Sequence, residues 1–149
     1  IHDVDVALSA GPNRLAATGA FGRPEDRLNV RIDAPRLAPF GVDGALRGRL
    51  DLAGTLQRPS LAFDLAAPRL AMPDVGTLSG LTLRGGLAGE SDSPLDVELA
   101  LERFARPGEA ESVRALKARA SGTNRAHRLE LDGALAASGA ASEIGRAHV

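Results

Sequence analysis

The chain has no cysteine, no tryptophan and no tyrosine. Without cysteine, disulfides and thiolate metal sites are excluded. Four phenylalanines are the whole aromatic complement, so the apolar mass is nearly all Leu, Val and Ala, and a core built on aromatic area is not available. An excess of either charge is missing too. The 18 basic and 19 acidic residues are interspersed and sum to a formal net charge of -1, which leaves no electrostatic footprint for nucleic acid and no polybasic patch for a membrane surface. No run approaches the roughly 18 apolar residues of a membrane span, and no signal peptide is recognisable. Sustained helical periodicity is absent as well, so nothing supplies an amphipathic helix to cover a sheet.

What is present is alternation. Val4, Val6 and Leu8 face away from Asp3 and Asp5; Leu28, Val30 and Ile32 alternate with Asn29, Arg31 and Asp33. Leu46, Gly48, Leu50 and Leu52 alternate with Arg47, Arg49 and Asp51, and Leu61, Phe63 and Leu65 enclose Asp64. Leu81, Leu83 and Leu87 follow, then Leu95, Val97, Leu99 and Leu101 against Asp96 and Glu98, and Leu129, Leu131 and Leu135 against Glu130 and Asp132. A period of two is the signature of a half-buried strand. Weaker strands are expected at Leu15 to Phe21 and Val113 to Ala120, where alanine dilutes the pattern.

The 17 glycines and nine prolines are scattered along the chain, marking many short turns rather than a few long linkers. Turn signals such as GPN at Gly11, GRPED at Gly22, QRP at Gln57, MPDVG at Met72 and SGTN at Ser121 separate the alternating runs. Strands joined this closely form an antiparallel meander. Only PRLAPF, with Leu37 and Phe40 three apart, has room for a helical turn, and its two prolines keep that short. The 149 residues suffice for one domain.

About nine strands at roughly 4.8 Å spacing make a sheet about 40 Å wide with one wholly apolar face. That exceeds the few hundred Å² of contiguous apolar surface a soluble monomer tolerates. The face must curl on itself, pack on another sheet, or meet an apolar ligand. Gly19, Gly48, Gly54, Gly85 and Gly133 fall inside alternating runs, where glycine permits bending and close backbone approach. The fold expected is therefore all-β: an antiparallel meander forming one strongly curved, taco-like sheet with an apolar groove. A solenoid or sandwich of an exported structural or adhesive module is the alternative, in which the same alternation would bury a dry core.

Catalytic chemistry finds no foothold. His127 has no second ligand at metal spacing, Asp3 and Asp5 precede no calcium loop, no G-x-S-x-G elbow occurs, and the glycines of GTLSGLTLRGGLAG lack the Lys-Ser/Thr of a phosphate loop. No catalytic residue, metal or cofactor is expected.

Two elements resemble those of the TamB family, the inner-membrane-anchored component of the translocation and assembly module, similar to AsmA-like bridge-type lipid transfer proteins. G-x-L-x-G-x-L-x-L-x-G-T-L-x-x-P is matched by Gly44, Leu46, Gly48, Leu50, Leu52, Gly54, Thr55, Leu56 and Pro59. G-T-x-x-x-H-x-L-x-L is matched by Gly122, Thr123, His127, Leu129 and Leu131. The resemblance covers most of residues 1–142 and implies a slice of a periplasm-spanning groove that carries phospholipid acyl chains and serves outer-membrane biogenesis and β-barrel protein assembly. It implies a lipid-facing wall of Leu28, Val30, Ile32, Leu46, Leu50, Leu52, Leu61, Phe63, Leu65, Leu81, Leu83, Val97, Leu99, Leu129 and Leu131. It also implies an outer-membrane barrel partner engaged elsewhere in the full protein, and a membrane anchor outside this stretch. The chain starts at Ile1 and is expected to be an internal fragment. Its last seven residues, EIGRAHV, read as the translation of a common sequencing adapter and are set apart from the groove region.

Overall fold

The computed structural model describes residues 3–89, 92–109, 111–123, 125–137 and 140–148. The runs of alternating residues named above lie in strands, except that Asp3 precedes the first strand and the strand expected at Leu15 to Phe21 starts at Asn13 and ends at Gly19. In chain order these are β1 (Val4–Ala10), β2 (Asn13–Gly19), β3 (Arg27–Ala34), β4 (Asp43–Gly44), β5 (Leu46–Gly54), β6 (Pro59–Met72), β7 (Gly76–Ala88), β8 (Pro94–Ala105), β9 (Val113–Thr123), β10 (His127–Ala137) and β11 (Ala140–His148). The strands pair antiparallel in chain order from β1 to β11, except that β5 follows β3 directly while β4 pairs with β6. The result is one open meander, not closed into a barrel. β11 includes most of the EIGRAHV segment.

Local chemistry accounts for the connections. PRLAPF forms a single 3₁₀ turn at Ala38–Phe40, stopped by Gly41 in the left-handed region at φ 80°. The short β4 is the start of β5 displaced by one residue: Asp43 and Gly44 pair with Ala71 and Leu70, whereas Arg47 pairs with Ala66. The extra residue lies in β6, where Ala67, Pro68 and Arg69 stand opposite Ala45 and Leu46, a β-bulge. A second bulge lies where Asp132 pairs with Lys117 but Ala134 pairs with Arg114, so Ala115 and Leu116 of β9 share one opposite position, Gly133. Ala115 takes up the extra residue at φ 51°, a left-handed conformation unusual for alanine.

Among the described residues there is no second layer. Buried hydrophobic residues among those described are Ala34, Ala67 and Leu101. Strand contacts follow the order of the hydrogen-bonded path, from β1 against β2 to β10 against β11. Antiparallel neighbours throughout distinguish this sheet from a parallel solenoid, and the scarcity of buried leucine distinguishes it from a sandwich.

The one buried polar side chain among the described residues was not visible in the sequence. Asn13, 6% exposed at the start of β2, donates from Nδ2 to the Arg36 carbonyl at 2.6 Å and accepts the Arg36 N–H on Oδ1 at 3.0 Å. This amide clamp ties the loop after β3 to the β1–β2 turn. Asn13→Ala leaves both Arg36 backbone groups without their partner and is expected to cost about 2 kcal/mol. The checks are the urea midpoint and protease cleavage in the loop at 35–42. An unchanged midpoint with no new cleavage would show that the clamp contributes nothing.

Candidate functional site

Residues directly opposite one another on antiparallel strands share a face, so the register alone defines the site. One row runs Val6, Ala17, Val30, Leu50, Phe63, Gly85, Val97, Ala120, Leu129 from β1 to β10. The next runs Leu8, Leu15, Ile32, Gly48, Leu65, Leu83, Leu99, Ala118, Leu131. A third, shorter row joins Gly19, Leu28, Leu52, Leu61 and Leu87. Leu46 pairs with Ala34, and Leu81 with Ala67, extending the same face toward the Ala34 end of β3. All fifteen wall positions expected from the sequence therefore fall on one face of one sheet.

That face is half-exposed rather than buried along its middle, and more open toward its sides: Leu129 is 44% and Leu8 60% exposed. The register also adds members that the sequence reading left out of the wall, including Leu15, Leu87, Leu95, Leu101 and Leu116. Leu15 and Leu116 sit in the alanine-diluted strands, where alternation was weak; their leucine neighbours across the strand are what place them.

The opposite face is a ladder of charge. Arg31, Arg49, Asp64, Arg84, Glu98, Arg119 and Glu130 stand in one row across β3 to β10. Arg84 Nε lies 3.2 Å from Asp64 Oδ1, and Arg119 reaches Glu98 at 3.4 Å and Asp96 at 3.3 Å. In the next row Arg47 pairs with Asp33 at 3.3 Å. Such exposed pairs are worth about 0–1 kcal/mol each; their role is to keep this side wetted and to oppose one register slip, which would swap the faces. Two open hollows lie on this charged face, of about 530 Å³ over β7–β10 and about 620 Å³ over β2–β6.

Residues 3–142 match the family model described as TamB, N-terminal domain. The chain belongs to the TamB family. No curated protein and no solved structure matched it. Members of the TamB family are inner-membrane-anchored periplasmic proteins; among the described residues no helix is long and apolar enough to cross a membrane.

The TamB-like motifs now have a structural meaning. In the first, Gly44 is in β4, Leu46–Gly54 is the whole of β5, and Pro59 opens β6. The Gly-Thr between them makes the turn: Gly54 adopts φ 86°, and Thr55 Oγ1 accepts the Arg58 N–H at 3.1 Å. The second motif repeats the device between β9 and β10, where Thr123 Oγ1 accepts the Ala126 N–H at 3.1 Å. Leu56 sits at the tip of its turn, 75% exposed and outside the wall. His127 is an exposed residue at the start of β10, opposite Gly122. In this TamB-family chain the resolved electrostatic perturbation lies at the β8–β9 loop, away from the apolar face. There the hydrogen-bonded Arg114 guanidinium, with Arg103 at 3.1 Å, holds the Glu111 carboxyl below its ordinary value, and Glu111 in turn raises Arg114. This is a loop staple, binding β8 to the start of β9.

Proposed function

We propose that this chain is a segment of a lipid-transfer groove, in which the leucine face shelters the acyl chains of phospholipids crossing the periplasm in outer-membrane biogenesis. The observation that carries the reading is the continuous apolar face of nine paired strands with no second layer over it among the described residues. Each methylene moved from water onto such a wall is worth about 0.8 kcal/mol, so a chain of them is held without any specific contact. Aliphatic walls without deep aromatic pockets bind along their length with no preferred stop, which suits sliding better than storage.

On this reading the sheet curls toward its apolar side, the chain is a conduit rather than an enzyme, and it acts in the periplasm as part of an anchored protein. Its partners are phospholipid acyl chains and, through another part of the full protein, an outer-membrane barrel involved in β-barrel assembly. It takes no nucleic acid and no cofactor.

The test is site-specific photocrosslinking in the full-length protein. A crosslinker at Leu52 or Leu99 is expected to capture phospholipid, and one at Arg47 or Asp96, on the charged face, is expected not to. Equal labelling of both faces would overturn the proposal.

A further inference from the structure

We infer that the hollow over β2–β6 on the charged face is a binding site for a phosphate group, held by Arg14, Arg31 and Arg49. The two hollows of that face provide the contrast. The one over β7–β10 is lined by Arg84, Lys117 and Arg119 against Glu98, Glu130 and Asp132, and is charge-balanced. The one over β2–β6 is lined by four arginines, Arg14, Arg31, Arg47 and Arg49, against two aspartates, Asp33 and Asp64.

Both aspartates are engaged. Asp33 pairs with Arg47 at 3.3 Å, and Asp64 turns to Arg84 outside the hollow at 3.2 Å. Arg14, Arg31 and Arg49 make no ion pair with a described residue, although Arg84, Arg103, Arg114, Arg119 and Arg128 all do.

The register aggravates the imbalance. Arg31 and Arg49 are directly opposite on β3 and β5, and like charges facing across a strand pair destabilise it. Arg14, beside them in the next row, faces Asp33, which Arg47 already holds. Uncompensated positive charge held on adjacent strands suits a compact anion. Guanidinium forks match phosphate oxygens two at a time, and three guanidiniums without an ion pair are available to neutralise a phosphate ester or a pyrophosphate. The ligand class is therefore a phosphate ester, supplied either by a lipid headgroup or by a soluble metabolite. This inference does not rest on the apolar-face reading, since no wall side chain takes part.

The experiment measures thermal unfolding of the chain with pyrophosphate against sodium chloride at equal ionic strength. Pyrophosphate is expected to raise the midpoint beyond the chloride control, and the double variant Arg31→Gln, Arg49→Gln to bind it at least about tenfold more weakly. Without ligand that variant should unfold at the same or a higher temperature, because a like-charge pair has been removed, so its loss of binding is not loss of fold. Replacing Lys117 and Arg119 by Gln, in the balanced hollow, is expected to leave the response intact. Equal shifts with chloride and pyrophosphate, or an undiminished response in the Arg31/Arg49 variant, would overturn the site. Vesicle sedimentation then separates the sources. Weaker binding of the variant to phosphatidylglycerol vesicles, with phosphatidylcholine binding unchanged, assigns the phosphate to a headgroup; loss of the pyrophosphate response alone assigns it to a soluble ester.

Discussion

Gly85→Ala is expected to lose about 3 kcal/mol or more and to break the pairing of β7 with β8, while Gly86→Ala, one residue on, is expected to be neutral within about 0.5 kcal/mol. Gly85 adopts φ 152°, and a Cβ built there would stand 2.2 Å from the Asp96 carbonyl oxygen and 2.7 Å from Val97 Cα. Both are backbone atoms of the neighbouring strand and have nowhere to go without opening the sheet. At Gly86 the nearest atom to such a Cβ is the Leu61 carbonyl oxygen at 3.5 Å, an ordinary contact. The comparison isolates close approach from glycine content, since both residues lie in the same strand. Gly85 also faces Phe63 directly across β6, so the chain's scarce aromatic area is spent over a glycine, a pairing known to support strands at such positions. Urea denaturation followed by circular dichroism gives the answer. Equal losses at the two positions would show that the close approach at Gly85 is not what sets the cost.

Leu50→Asp is expected to reduce phospholipid capture about a hundredfold while leaving the sheet folded. Leu50 lies near the middle of the apolar face, flanked by Val30 and Phe63. On the proposed groove function a carboxylate there would confront acyl chains, and setting such a charge against hydrocarbon costs about 3 kcal/mol. A residue this incompletely buried can turn a polar group toward water, which a core leucine cannot, so the fold survives. Thr82→Asp places the same charge on the opposite face, where Thr82 sits across from Ala66 and Ala100, and should capture lipid normally. Crosslinked lipid and the far-ultraviolet spectrum are the two readouts. Normal capture by a folded Leu50→Asp chain would remove the wall from the mechanism.

Much of this architecture was legible before any tertiary information. Runs such as LNVRID and LRGRLDL have no period but two, so their faces follow from the pleat. The short turns between them leave each strand little choice but to pair with the next. The motif residues Thr55 and Thr123 announce turns because a hydroxyl two or three residues from a free N–H closes one locally.

The features that stayed hidden are those fixed by residues far apart in the chain. Asn13 looked like an ordinary turn residue until Arg36, 23 residues away, came to lie against it. The bulges at 67–69 of β6 and at Ala115 shift alternation by one residue and depend on what the partner strand offers. Similarly, Arg31 and Arg49 read as two unremarkable surface charges; their apposition appears only when β3 and β5 pair across the loop that holds β4.

By itself, then, the sequence determined the strands, the separation of an apolar from a charged face, and membership in the TamB family through its Gly-Thr turns and leucine spacing, because all of these are written at short range in a period of two. Only the tertiary structure decided that one sheet stands without a second layer, that the fifteen wall positions come into line, and that positive charge is left unpaired in one hollow. Coverage, register offset and charge pairing are set by which distant strands become neighbours, and no local pattern encodes that.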